Sequence, residues 1–104
     1  MRRLEKWLDG HLSGAVTVSD MAEVCNLSAR SFHRKFVSAY GVTPKKFVQV
    51  KRIEKVRLLL RDPEVSVEAA IVSVGVTDVP SLRRVFQREL GVSPAEYRRG
   101  LRAS

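Results

Sequence analysis

Cysteine is almost missing: Cys25 is the only one in 104 residues, so an internal disulfide is excluded, and with it the stapled folds of small secreted chains. No Lys, Arg or His adjoins it, and it reads as a small core residue rather than a reactive thiol. Histidine is scarce as well. His11, His33 and Cys25 lack the paired spacing of a four-ligand zinc site, and a Cys25–His33 nucleophile pair would straddle a packed turn. Gly41-Val42-Thr43-Pro44-Lys45 lacks the first glycine and the Gly-Lys-Ser/Thr order of a Walker loop. No catalytic residue, metal ligand or cofactor is therefore assigned, and no enzyme is expected. No apolar run approaches the ~18 residues of a membrane span and no signal-peptide core is found, so a cytoplasmic location is the expectation. No stretch alternates strictly like a half-buried strand, which leaves an all-α fold. Acidic residues are also short, 11 against 19 Lys plus Arg, giving a net charge of +8 and a pI near 10.4. That imbalance points to a polyanionic partner, nucleic acid or an anionic membrane surface.

What is present is a duplication. Ser31-Phe32-His33-Arg34-Lys35-Phe36, then Gly41-Val42-Thr43-Pro44 and Phe47, recurs fifty positions later as Ser81-Leu82-Arg83-Arg84-Val85-Phe86, then Gly91-Val92-Ser93-Pro94 and Tyr97. Upstream the offset is forty-nine: Thr17-Val18 answers to Ser66-Val67, Ala22 to Ile71, and Asn26 to Gly75. The second copy thus carries one extra residue in its short turn. A repeat of this period signals duplicated supersecondary units.

Between the copies lies residues 43–61, where Thr43 can cap a helix that starts at Pro44 and nothing breaks the run before Asp62-Pro63. Val48, Ile53, Val56, Leu59 and Leu60 recur there among Lys45, Lys46, Lys51, Lys55 and Arg57, an amphipathic pattern with a basic outer side. At 1.5 Å per residue, roughly 17 helical residues span about 25 Å. Ahead of it, 2–12 reads as a first helix with Leu4, Trp7, Leu8 and Leu12 on one face, Trp7 as its core anchor. Thr17 with Asp20 forms a capping box for a short helix burying Val18, Met21, Ala22 and Cys25. Asn26 supplies the left-handed residue of a tight turn, and Ser28 caps a helix over 29–40 that Gly41 closes. The second copy has Ser66 as cap, Val67, Ala70, Ile71 and Val74 inward, Gly75 in the turn, and Asp78 capping 79–90 before Gly91. A last short helix starts at Pro94 with Ser93 and Glu96 as its box, and the tail 100–104 is expected to fray. The expected organisation is a first subdomain over 1–42, a linker helix over 43–61 and a second subdomain over 62–104, about seven helices in all.

Two short helices joined by a tight turn holding Gly or Asn make the helix-turn-helix unit, whose second helix enters the DNA major groove. At 100° per residue Phe32, Phe36 and Tyr40 gather on one side of 29–40, with Arg30, Arg34 and Val37 opposite and His33 at the border. In 79–90 Leu82, Phe86 and Leu90 face inward while Pro80, Arg84 and Gln87 face out, Arg83 at the border. A solvated helix face would explain either arginine alone. An arginine at the same outward position of both copies suits a groove, since its planar fork can donate two hydrogen bonds to guanine.

With these motifs the chain resembles the C-terminal DNA-binding domain of AraC/XylS family bacterial transcription regulators over about residues 4–99, most specifically in Val65 through Tyr97 with its Gly-Val-Ser-Pro-x-x-Tyr-Arg close. Gly75-Val76, Ala70-Ile71 and Pro80 depart from the usual pattern of the second unit. Leu82-Arg83-Arg84 and Ser93 through Arg99 look most like the subgroup with an amidotransferase-like N-terminal domain. The resemblance implies sequence-specific binding of double-stranded DNA, with two recognition helices in successive major-groove segments; because a single helix joins the units, these are expected on one face of the duplex about one helical turn, or ~34 Å, apart. It places Arg30, His33 and Arg34, and Pro80, Arg83 and Arg84, on base-reading positions. Phosphate contacts are expected from Ser28, Thr43, Lys45, Lys46, Gln87, Ser93 and Arg98, the two lysines lying in a first helical turn whose N–H groups and dipole favour an anion. RNA polymerase is a candidate further partner, with the isolated domain a monomer and the full regulator a dimer through a separate N-terminal domain. The competing reading is a basic helical module for RNA or an acidic protein surface.

Overall fold

The computed structural model describes residues 2–103, and among them are seven helices and no strand: α1 (Arg2–His11), α2 (Val18–Val24), α3 (Ala29–Tyr40), α4 (Pro44–Leu59), α5 (Val67–Ser73), α6 (Val79–Leu90) and α7 (Pro94–Ala103). The helix starts follow local chemistry. Thr17 Oγ1 accepts the Asp20 N–H at 3.0 Å while Asp20 Oδ2 accepts the Thr17 N–H at 3.1 Å, a complete capping box. Ser28, Ser66 and Asp78 cap α3, α5 and α6, and Gly41 and Gly91 close α3 and α6 in the left-handed conformation.

The chain forms two compact units, residues 1–49 and 50–104. In the first, Leu4, Leu8 and Leu12 meet Met21, Ala22, Phe32, Phe36 and Val48, with Trp7 and Cys25 half-buried at the margin. In the second, Ile53, Val56 and Leu60 meet Ala70, Ile71, Val74, Leu82 and Phe86. The duplication extends to ring geometry. Phe47 meets Phe36 edge-on at 5.2 Å between centroids, and Tyr97 meets Phe86 edge-on at 5.9 Å, the favoured contact for two aromatic quadrupoles.

Three expectations change. The helix 43–61 ends at Leu59, and its buried residues do not form one stripe: Val48 serves the first core, whereas Ile53, Val56 and Leu60 serve the second. Leu59 is only half-buried and Leu58 stands 54% exposed. The chain divides between Gln49 and Val50, inside α4, and each half of that helix contributes to the core of its own unit. The tail does not fray at Gly100, because α7 runs through it to Ala103; Ser104 lies outside the described residues. Gly100 is helical and a Cβ there would touch nothing within 4 Å, so it costs the helix propensity without breaking it.

Candidate nucleic-acid interface

In each unit the first helix of the pair buries its inner face and hands the chain to the second through one residue of positive φ, Asn26 at 56° and Gly75 at 81°. The turns are compact: Leu27 N–H donates to Ala22 O at 3.0 Å, and Gly75 N–H donates to Val72 O at 3.1 Å. The second helix is then pinned by its aromatic side, with Phe32 and Phe36 of α3 and Leu82 and Phe86 of α6 all buried. Its other side is left to solvent. Arg30, His33 and Arg34 are exposed on α3, as are Pro80, Arg83, Arg84 and Gln87 on α6; Val37 is half-buried. The structure thus brings the base-reading candidates of each unit to one bare helix face.

The phosphate candidates divide. Thr43 Oγ1 caps α4 by accepting the Lys46 N–H at 3.2 Å, and exposed Lys45 and half-buried Lys46 stand in a first helical turn that itself holds no acidic residue. Ser28 is similar, its Oγ accepting the Ser31 N–H at 3.2 Å with no acid in the first turn of α3. At α7 the anion is the protein's own. Glu96 Oε1 accepts the Ser93 N–H and Ser93 Oγ accepts the Glu96 N–H, both at 3.2 Å, and the Ser93 side chain foremost holds the Glu96 carboxyl below its ordinary range. Arg98 is engaged inside the second unit: Nε donates to Leu60 O at 3.4 Å, and Nη2 to Asp62 O at 3.2 Å and to Val65 O. Three of its N–H groups therefore tie α7 to the segment after α4, a structural role that leaves fewer of its donors for a phosphate. Arg52, half-buried on α4, is pushed below the usual guanidinium value by that burial and does not join the exposed set.

One feature of the site escaped the sequence. Arg84 Nη2 donates to Ser81 Oγ at 3.0 Å, and Ser81 Oγ donates to Asp78 Oδ2 at 2.7 Å. The signal was available in the spacing, an acid, a hydroxyl and a base each three residues apart at a helix start. Among the described residues no three His, Cys, Asp or Glu side chains gather as a metal site, and no helix is long and apolar enough to cross a membrane.

A supporting helix, a left-handed turn and a second helix with an exposed basic face, made twice, define a double helix-turn-helix DNA-binding domain. The chain belongs to the helix-turn-helix domain family, which matches residues 21–100. This is not an enzyme family. The chain is 36% identical over all 104 residues to the HTH-type transcriptional activator RhaS of Escherichia fergusonii, and it spans 37% of that curated relative's length. Its fold matches the DNA-binding domain of the global transcriptional factor AdpA, solved in complex with a target DNA, at a TM-score of 0.90 and 31% identity, covering 98% of this chain and 92% of that one. An AraC-type regulator from Chromobacterium violaceum shares the fold at a TM-score of 0.86 and 20% identity, covering 93% and 87% of the two chains.

Proposed function

We propose that this domain reads duplex DNA by placing α3 and α6 in successive major-groove segments, as the DNA-binding part of a longer cytoplasmic regulator. The observation that carries the reading is the matched pair Arg34 and Arg84, fifty residues apart and both exposed on the outer face of the second helix of their unit. Arg30, His33 and Arg34 read bases in the first unit; Pro80, Arg83 and Arg84 do so in the second, Pro80 through apolar contact because it has no N–H. Ser28, Thr43, Lys45, Lys46 and Gln87 hold phosphates. Ser93 is the weak member, since Glu96 already occupies its N–H, and Arg98 is left out. The finer proposals concern the parent protein: an amidotransferase-like domain in front, dimerisation through that domain, and contact with RNA polymerase.

A titration with duplex DNA and with hairpin RNA at two salt concentrations tests the class of partner. Groove-reading helices do not fit the deep, narrow major groove of A-form RNA, so the duplex is expected to bind more tightly at both salts. Equal or tighter binding of the hairpin would overturn the proposal in favour of an RNA-binding module. Selection from a randomised duplex library then tests sequence specificity, with two short preferred blocks as the expected result.

A further inference from the structure

The N-cap of α6 does more than end a loop. Asp78 uses both carboxylate oxygens on one residue: Oδ1 accepts the Ser81 N–H at 3.1 Å, and Oδ2 accepts the Ser81 hydroxyl at 2.7 Å. A serine hydroxyl has one proton to give. With that proton committed to Asp78, the lone pairs of Ser81 Oγ are available to Arg84, whose Nη2 donates to them at 3.0 Å. The chain of bonds runs in one direction, from guanidinium to hydroxyl to carboxylate, and is charged at both ends, where hydrogen bonds are strongest and polarise one another. The Ser81 side chain, then its backbone, hold the Asp78 carboxyl below its ordinary range, with Arg84 adding to the effect. Asp78 is therefore ionised throughout neutral pH.

The first unit has the same spacing and a different cap. Ser28, Ser31 and Arg34 stand where Asp78, Ser81 and Arg84 stand, and Ser28 Oγ accepts the Ser31 N–H at 3.2 Å. A hydroxyl has no second oxygen for the Ser31 side chain and no charge to draw Arg34 down the helix. The duplicated fold thus carries two versions of one helix start, and only the second can set the direction of its arginine.

We propose that Asp78 and Ser81 are positioning residues that hold the Arg84 guanidinium in place for base recognition by the second unit. The inference rests on reading α6 as a groove-entering helix. Arginine carries five N–H groups, and giving one to Ser81 leaves four, enough for a two-bond fork on guanine. The side chain meets the groove already ordered, so part of the rotamer freedom it would lose on binding is lost beforehand. Specificity at that base pair is then a property of the cap as well as of the arginine.

The test uses this domain with Asp78→Ser, Ser81→Ala, Ser81→Thr and Arg84→Ala beside the unaltered chain. A duplex is selected from a random library with the unaltered chain, and the base pair whose preference Arg84→Ala relaxes is identified by titrating single-substituted duplexes. Ser81→Ala and Asp78→Ser are expected to lose about three- to tenfold discrimination at that base pair, a fraction of what a good bidentate contact supplies. Ser81→Thr keeps the hydroxyl and is expected to keep the discrimination. Preferences read by the first unit should stay within about twofold, and Asp78→Ser should unfold close to the unaltered chain because serine is as good a cap as aspartate. Discrimination by Ser81→Ala equal to that of the unaltered chain overturns the proposal, as does an equal loss of affinity for every duplex. If Arg84→Ala relaxes no base pair of a selected duplex, the relay falls together with Arg84 as a base reader, while selective duplex binding by the domain stands; if the unaltered chain selects no sequence, both fall.

Discussion

Asn26 at φ 56° and Gly75 at φ 81° hold the same left-handed backbone state, one in the turn of each unit. A Cβ makes that state costly, and asparagine is among the few residues with one that tolerate it. Gly75→Ala and Asn26→Ala should each destabilise their unit by about 1 to 2 kcal/mol, whereas Asn26→Gly should change little. Urea unfolding of the three variants measures this. A Gly75→Ala midpoint equal to that of the unaltered chain would mean the turn can be made without a left-handed residue.

Tyr40 donates its hydroxyl proton to Glu5 Oε2 at 3.2 Å, tying the end of α3 to α1 in the first unit. Burial first, then the Glu5 charge and the bond to it, raise the phenol above its ordinary value near 10. The folded chain holds this proton more tightly than the unfolded one. The stability it contributes is whole below the unfolded value and is lost as pH rises through the folded one. Tyr40→Phe should cost about 1 kcal/mol at neutral pH and make the loss of stability above pH ~10 shallower. Thermal midpoints of both chains between neutral and strongly alkaline pH check the sign; parallel curves would remove Tyr40 from the alkaline transition.

Arg98 offers a contrast between a surface charge and a structural one. Its bonds to Leu60, Asp62 and Val65 carbonyls need a planar fork, which lysine lacks. Both Arg98→Ala and Arg98→Lys should therefore destabilise the second unit, by on the order of 2 kcal/mol, and Arg98→Lys should not restore it. The slope of log K against log salt on duplex DNA should stay as it was. A flatter slope with unchanged stability would return Arg98 to the phosphate-binding set.

Arg98 also marks the limit of what could be read without coordinates. Caps and turns were legible because each is settled within three residues: Thr17 with Asp20, Ser93 with Glu96, Asn26 in its turn. The inward faces of α3 and α6 were legible because Phe32, Phe36, Leu82 and Phe86 recur at helical spacing. The acceptors of Arg98 lie 33 to 38 residues away, beyond any local pattern. The division of α4 was hidden for a related reason, since Val48 and Ile53 look like one apolar series until each is assigned to a different core. Nor does Gly100 mark the end of α7, because glycine's low propensity is a weak signal once the flanking turns are formed.

Specificity and affinity should separate between Arg34 and Lys45 within the first unit. Arg34 is exposed on the outer face of α3, opposite Phe32 and Phe36, where its fork can meet a base edge. Lys45 is exposed in the first turn of α4, beside a start capped by Thr43 and free of acidic residues, where a phosphate gains from the dipole as well as the ammonium. Base contacts discriminate and phosphate contacts position. Arg34→Ala should cost about 1 to 3 kcal/mol on a selected duplex, relax the preference at one or two adjacent base pairs, and leave binding to scrambled DNA nearly unchanged. Lys45→Ala should weaken both duplexes alike and flatten the salt slope by up to about 0.9. Arg84→Ala should resemble Arg34→Ala, with the relaxed preference falling at base pairs read by α6. Titration of the three variants on selected and scrambled duplexes over a salt series measures all of this at once. If Arg34→Ala lowers affinity for both duplexes equally, Arg34 grips phosphate, and the bases are read elsewhere on α3.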